Sequence, residues 1–137
     1  MREMVKVEKR IMVDMSATII HHGHVRLLKE AKKLGRVIVA LTTDEEIIKK
    51  KGYTPELNFH QRSEILQAFS TVDEVVPSKW MIEDKFLQSH RIDLLVHGSD
   101  NSNPIPKDKL LILPRTKDIS SSIIRKKVLD TIQSLLK

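Results

Sequence analysis

The sequence predicts an α/β fold, a doubly wound parallel sheet of five strands with helices on both faces. Three observations carry that expectation. Short apolar runs rich in β-branched residues alternate along the chain with stretches whose apolar residues recur at helical spacing. The 137 residues suffice for one domain with a real core and are too few for two ordinary ones. No internal repeat, low-complexity tract or interdomain linker interrupts the alternation, so residues 1–137 read as a single domain. Residues 1–10 are its expected frayed end, with Val5 and Val7 as a candidate extension of the first strand.

The elements follow in order. Ile11-Met12-Val13-Asp14-Met15-Ser16 is short and mostly apolar, as a buried strand requires. Val25 to Leu34 has its apolar residues at helical spacing, and Gly35 supplies a stop. Arg36 to Thr42 is a second buried strand, dense in β-branched residues. Thr43 and Asp44 open a short helix ending in Lys49-Lys50-Lys51-Gly52, and a polar loop through Pro55 leads to a helix from Asn58 to about Phe69. Val72 to Val76 forms a short strand stopped by Pro77, Trp80 to His90 a helix, and Ile92 to Gly98 the next strand. Leu110 to Leu113 closes the sheet before a last helix from Ser120 towards Leu136. This alternation is Rossmann-like, with right-handed crossovers expected between parallel strands.

Composition bounds the function. A 40% apolar and 31% charged composition is ordinary for a soluble domain, and no apolar run approaches bilayer length. The charged start Met1-Arg2-Glu3 leads into no signal-peptide core. With no cysteine there is neither a disulfide nor a thiolate metal site, and the expected compartment is the cytoplasm. The net charge of +6 suits anionic ligands. Only 4% of residues are aromatic, which argues against a nucleic-acid surface built on base stacking. Neither nucleic acid nor membrane is an expected partner.

In such sheets ligands bind beyond the carboxyl ends of the strands, at the switch in strand order. His21-His22-Gly23-His24 lies there after strand one, Thr42-Thr43-Asp44 after strand two, Gly98-Ser99-Asp100 after the fourth, and Leu113-Pro114-Arg115-Thr116 after the fifth. Four polar segments far apart in sequence therefore meet on one rim. A helix start offers unpaired N–H groups and a partial positive charge, Gly23 lets backbone approach a ligand, and imidazoles donate hydrogen bonds to phosphate oxygens. His21, His22 and His24 also form a conceivable zinc or nickel set. No nearby carboxylate or cysteine completes one, and Gly23 suits phosphate better.

These residues resemble the cytidylyltransferases with a His-x-Gly-His signature, from about Ile11 to Val128. His21-His22-Gly23-His24 is similar to the first motif, and Arg115-Thr116-Lys117-Asp118-Ile119-Ser120-Ser121-Ser122 to the second. Length and Leu-Pro-Arg-Thr look like glycerol-3-phosphate cytidylyltransferases. Met15-Ser16-Ala17 with Ile20-His21-His22-Gly23-His24 looks like phosphoenolpyruvate mutase-associated nucleotidyltransferases, some acting on 2-aminoethylphosphonate.

The resemblance implies transfer of CMP from CTP, with Mg²⁺, to a small phosphate or phosphonate acceptor, with pyrophosphate released. It implies catalytic roles for His21, His24 and Arg115, and nucleotide contacts from Ser16, Ala17, Gly23, Asp100, Thr116, Ile119, Ser120 and Ser121. Lys49, Lys50 and Lys51, on a mobile loop, and Arg62 are the candidate phosphate or acceptor contacts, and a homodimer is implied. Thr18 stands where most members carry Asp, and Asp118 where they carry Gly. An adenylyltransferase of the same fold, or a nucleotide-binding relative without turnover, is the alternative reading.

Overall fold

The computed structural model describes residues 8–98 and 103–137. Its elements run β1 (Arg10–Met15), α1 (His22–Lys32), β2 (Arg36–Thr42), α2 (Asp44–Lys51), α3 (Phe59–Gln67) and β3 (Glu74–Ser78). They continue as α4 (Asp84–Ser89), β4 (Leu94–Gly98), β5 (Leu110–Leu113) and α5 (Ser121–Leu135). All four strand pairs are parallel, in the order β3-β2-β1-β4-β5. The chain steps outward from β1 to β3, then returns to lay β4 against the free side of β1. The switch point therefore falls between β1 and β4, at the head of the strand that feeds the histidine segment.

Burial on both faces explains the near-continuous apolar strands. Ile11, Met12, Val13 and the run Val37 to Leu41 are fully buried. Ile11, Val13, Val37, Val39 and Leu41 pack on one face with Leu28 and Ala31 of α1 and Leu66 of α3. On the other face Met12, Ile38, Ala40, Val76 and Leu95 meet Ile82, Leu87 and Ile92 around α4. Among the described residues no helix is long and apolar enough to cross a membrane.

Most boundaries shift by one or two residues from the sequence expectation, and three of the differences have a clear local reason. Helix α1 begins at His22, because His21 is itself the cap. Strand β3 runs through Pro77 to Ser78, pairing Pro77 with Leu41; β3 is an edge strand, where a missing N–H is tolerated. The helix expected from Trp80 starts only at Asp84. Its intended first amides are held elsewhere, Trp80 N–H by Glu46 Oε1 at 2.9 Å and Ile82 N–H by Asn103 Oδ1 at 2.7 Å. Val5 and Val7 lie outside the described residues.

Candidate active site

A cleft of about 810 Å³ opens at the carboxyl ends of the strands, beside the switch point. His21, His24 and Arg115 all line it, so residues more than ninety positions apart face one cavity. Ser16, Ala17, Gly23, Thr116, Ile119, Ser120 and Ser121 line it as well, as the sequence led us to expect.

The histidine turn is built from side chain to backbone. Nδ1 of His21 accepts the N–H of Gly23 at 3.0 Å, and Nδ1 of His24 accepts the N–H of His21 at 3.1 Å. This is a capping box made of imidazoles. A neutral ring that accepts at Nδ1 carries its hydrogen on Nε2. Both rings therefore hold Nε2–H donors in reserve, their centroids 4.0 Å apart. Burial, then His21, then Arg115 hold His24 down to about 3, so the ring is neutral at physiological pH. Burial and His22 lower His21 in the same direction.

One expectation needs correcting here. The amides of Gly23 and His21 are spent on the cap, so imidazole edges rather than bare backbone N–H groups present the donors on this wall. Gly23 owes its place to the neighbouring ring: a Cβ there would stand 2.8 Å from His21 Cε1 and 3.3 Å from Ile119 Cγ2.

The turn between β1 and α1 is strained and firmly held. Ala17 is buried with φ +45°, a left-handed conformation unusual for alanine. Ser16 O accepts from Arg62 at 2.6 Å, while the Ser121 hydroxyl accepts from Ile19 N–H at 3.2 Å and donates to Ile19 O at 3.1 Å. The Ser120 hydroxyl accepts from Ile123 N–H at 3.1 Å and caps α5. Both hydroxyls thus serve the scaffold. What α5 offers the cleft is its first-turn amides and positive dipole end.

Arg115 is exposed, lies across Gly98, and pairs with no carboxylate among the described residues. Its guanidinium fork is available to an anion. Asp118, in the place of the family's Gly, has φ +60° and does not line the cleft. Aspartate is among the few residues that tolerate that backbone. Thr18 is 3% exposed, and its hydroxyl accepts from Arg125, whose guanidinium also grips Glu56 at 2.6 and 2.7 Å and stacks on Tyr53.

Arg62 is not a phosphate or acceptor contact. It is fully buried, and donates to Leu57 O, Ser16 O, Thr42 O and Asp44. The three lysines sit in the last turn of α2 rather than on a loop, and only Lys51 lines the cleft, its Nζ 5.5 Å over the Trp80 ring. Lys49 and Lys50 do not line it. Asp100 lies outside the described residues. Lys79, absent from the sequence expectation, also lines the cleft. It directly follows Ser78 at the end of β3, so the strand-end rule applied to the third strand would have found it.

A parallel doubly wound sheet whose switch point carries a donor-rich, cationic cleft defines a phosphate-handling α/β protein. The chain belongs to the cytidylyltransferase-like family, whose profile matches residues 16–112. It is 34% identical over 128 residues to a glycerol-3-phosphate cytidylyltransferase of Bacillus subtilis, covering 88% of this chain and 97% of that one. A glycerol-3-phosphate cytidylyltransferase of Staphylococcus aureus is 33% identical over 88% of this chain and 95% of its own. An ethanolamine-phosphate cytidylyltransferase of Mus musculus is 38% identical over 66% of this chain, which spans 23% of that longer protein. The crystal structure of a lipopolysaccharide core biosynthesis protein from Thermoplasma volcanium shares the fold, with TM-score 0.68 and 20% identity over 81% of this chain and all of that one. Cytidylyltransferases are nucleotidyltransferase enzymes, and this chain is an enzyme of that class.

Proposed function

We propose that the protein transfers CMP from CTP to a small acceptor carrying a phosphate or phosphonate group, releasing pyrophosphate. The observation that carries this reading is the meeting, in one cleft, of two neutral imidazole donors and a guanidinium that pairs with no carboxylate among the described residues. The names of the similar cytidylyltransferases supply the nucleotide and the acceptor class.

An acceptor phosphate oxygen bonds to the α-phosphorus while the bond from that phosphorus to the bridging oxygen of the β-phosphate breaks. The acceptor oxygen is already ionised near neutral pH, so no strong base is needed, and the protein's work is alignment and charge stabilisation. The Nε2–H groups of His21 and His24 donate to oxygens on the α-phosphate, where charge grows, and Arg115 takes the departing phosphates through its fork. Lys51 and Lys79 add cationic charge across the cleft.

A Mg²⁺ ion accompanying the triphosphate would neutralise part of its charge, held by phosphate oxygens rather than by a protein cage. Both Nδ1 atoms of the histidine pair are committed to backbone N–H groups, and Asp14 to His97 and Asn103. The donor set therefore suits a cation held chiefly by phosphate oxygens. A homodimer is part of the same proposal, supported by the exposed apolar residues Val128, Leu129 and Ile132 along α5, and sedimentation of the purified protein tests it.

Pyrophosphate release tests the reaction, using CTP or ATP with glycerol-3-phosphate, phosphoethanolamine and 2-aminoethylphosphonate, with and without Mg²⁺. Release is expected only with CTP, acceptor and Mg²⁺ together. Release with ATP in its place would make the chain an adenylyltransferase. CTP binding without release would make it a non-catalytic relative, and a ligand at a hundred times its Kd adds about 2.7 kcal/mol to stability.

A further inference from the structure

A guanidinium outside the cleft ties three parts of the site together. Arg125 stands in the second turn of α5 and is not among the residues that line the cavity. Its Nη2 donates to the Thr18 hydroxyl at 2.8 Å, and Nε and Nη2 grip the Glu56 carboxylate at 2.6 and 2.7 Å. The Tyr53 ring lies 4.6 Å from the guanidinium carbon. One side chain of α5 thus joins the turn between β1 and α1 to the loop that follows α2. Arg62 spans the same turn and loop, donating to Ser16 O at 2.6 Å and to Leu57 O at 3.1 Å. The Ser121 hydroxyl makes a further tie, to the N–H and the O of Ile19.

These ties surround Ala17, which is buried and carries a φ of +45°. A left-handed backbone is disfavoured for an alanine by about tenfold. Such a conformation persists only where its surroundings over-determine it. Ser16 is fixed through its carbonyl, Thr18 through its hydroxyl and Ile19 through both backbone groups. His21 follows at once, with its N–H on the His24 ring and its own ring on the N–H of Gly23. Relaxation at Ala17 would therefore re-aim the chain just where it enters the imidazole cap. Thr18 brings no charge to this arrangement; the carboxylate that steadies Arg125 comes from Glu56.

Resting on the transferase reading above, we propose that Arg125 is a positioning residue. By holding Thr18 it keeps Ala17 left-handed, and so aims the His21 and His24 rings at the reacting phosphate. It acts through the turn and touches no substrate. A group that only aims donors used in the transition state governs kcat more than KM. A mere brace would lower stability and leave the turnover of folded molecules alone.

The test is pyrophosphate release from CTP, with whichever of glycerol-3-phosphate, phosphoethanolamine and 2-aminoethylphosphonate turns over. Arg125→Met keeps an apolar stem beside Tyr53 and loses every donor. It is expected to lower kcat by about tenfold while KM for CTP stays within about threefold. In an Ala17→Gly background the left-handed backbone costs nothing, so the same change is expected to lower kcat by less than about threefold. An equal fall in both backgrounds overturns the proposal, since Arg125 would then act otherwise than through Ala17. Unchanged kcat in folded Arg125→Met overturns it as well, and reduces the arginine to a brace. Should Arg125→Met fail to fold, Thr18→Val, which removes only the acceptor in the turn, is judged by the same two comparisons. If the unaltered protein releases pyrophosphate with none of the acceptors, the transferase reading fails by itself. Amide exchange then decides the positioning: faster exchange at Ile19, His21 and Gly23 in Arg125→Met supports it, and unchanged exchange there overturns it.

Discussion

Nδ1 of His24 accepts the backbone N–H of His21 at 3.1 Å, so an imidazole closes the first turn of α1 where a glutamate or glutamine ordinarily would. The cap needs that nitrogen unprotonated. Burial, His21 and Arg115, in that order, already favour the neutral ring and hold His24 down to about 3 against an ordinary 6.5.

That depression makes stability depend on pH, with a definite sign. Between about 6.5 and 3 the unfolded chain takes up a proton that the native chain refuses, so acid favours unfolding. The contribution is fully present above 6.5 and is lost progressively as pH falls towards 3. His21, shifted the same way, adds in the same sense. One such group gives at most about 1.4 kcal/mol per pH unit, hence up to about 2 kcal/mol between pH 6.5 and 5. Urea unfolding at pH 7.5 and 5 should show that loss. His24→Gln, which keeps a capping side chain and removes the titration, should show less of it. Equal losses in both proteins would refute the assignment.

Gly23→Ala separates stability from activity. Alanine is favoured over glycine in a helix by about 1 kcal/mol, and losing a cap bond costs about 1 kcal/mol, so the melting temperature should scarcely move. The new Cβ stands 2.8 Å from the His21 ring and 3.3 Å from Ile119, so the ring must swing and its Nε2–H donor goes with it. A fall in kcat/KM of about a hundredfold is expected, the scale seen when one transition-state donor is removed. Unchanged pyrophosphate release would show that the His21 ring is free to be elsewhere.

The sheet was legible because its strands are buried on both faces. Arg36–Thr42 and Leu110–Leu113 announce themselves as unbroken apolar runs, and Gly98 and Pro114 mark where two of the strands stop. The convergence of His24 and Arg115 followed from topology alone, since both stand just beyond strand ends. Side-chain commitment was not legible. Arg62 and Arg115 read alike in sequence, as cations near a rim, and only the packing of α3 against the β1 and β2 ends distinguishes them. Nor was the start of α1 legible, because histidine is an uncommon cap and Val25 begins the apolar pattern. Asp14 and His97 lie 83 positions apart and meet only because β4 returns to the free side of β1.

Thr18 tests how the carboxylate-to-hydroxyl departure is accommodated. Its hydroxyl accepts from Arg125 at 2.8 Å, in a guanidinium shared with Glu56. Thr18→Val leaves the Arg125 hydrogen without that acceptor and should cost about 1 kcal/mol in urea unfolding. Glu56→Gln in the Thr18→Val background should cost less than in the unaltered protein if the two acceptors act through one arginine. Strict additivity of the two losses would mean that Arg125 does not couple them.

The two arginines of the strand ends should fail in opposite ways. Arg62→Met strands the carbonyls of Ser16, Thr42 and Leu57, each buried or half-buried acceptor costing about 1 kcal/mol or more when left unpaired, and leaves the half-buried Asp44 without its partner. Its midpoint in urea should therefore drop sharply. Arg115→Lys, at an exposed position with no ion pair among the described residues, should leave that midpoint within about 0.5 kcal/mol of the parent. It keeps the charge and loses the fork, so kcat/KM should fall by about tenfold or more while the fold stands. Were Arg115→Lys to unfold early, or Arg62→Met to remain stable and lose only turnover, the roles given to the two guanidinium groups would have to be exchanged.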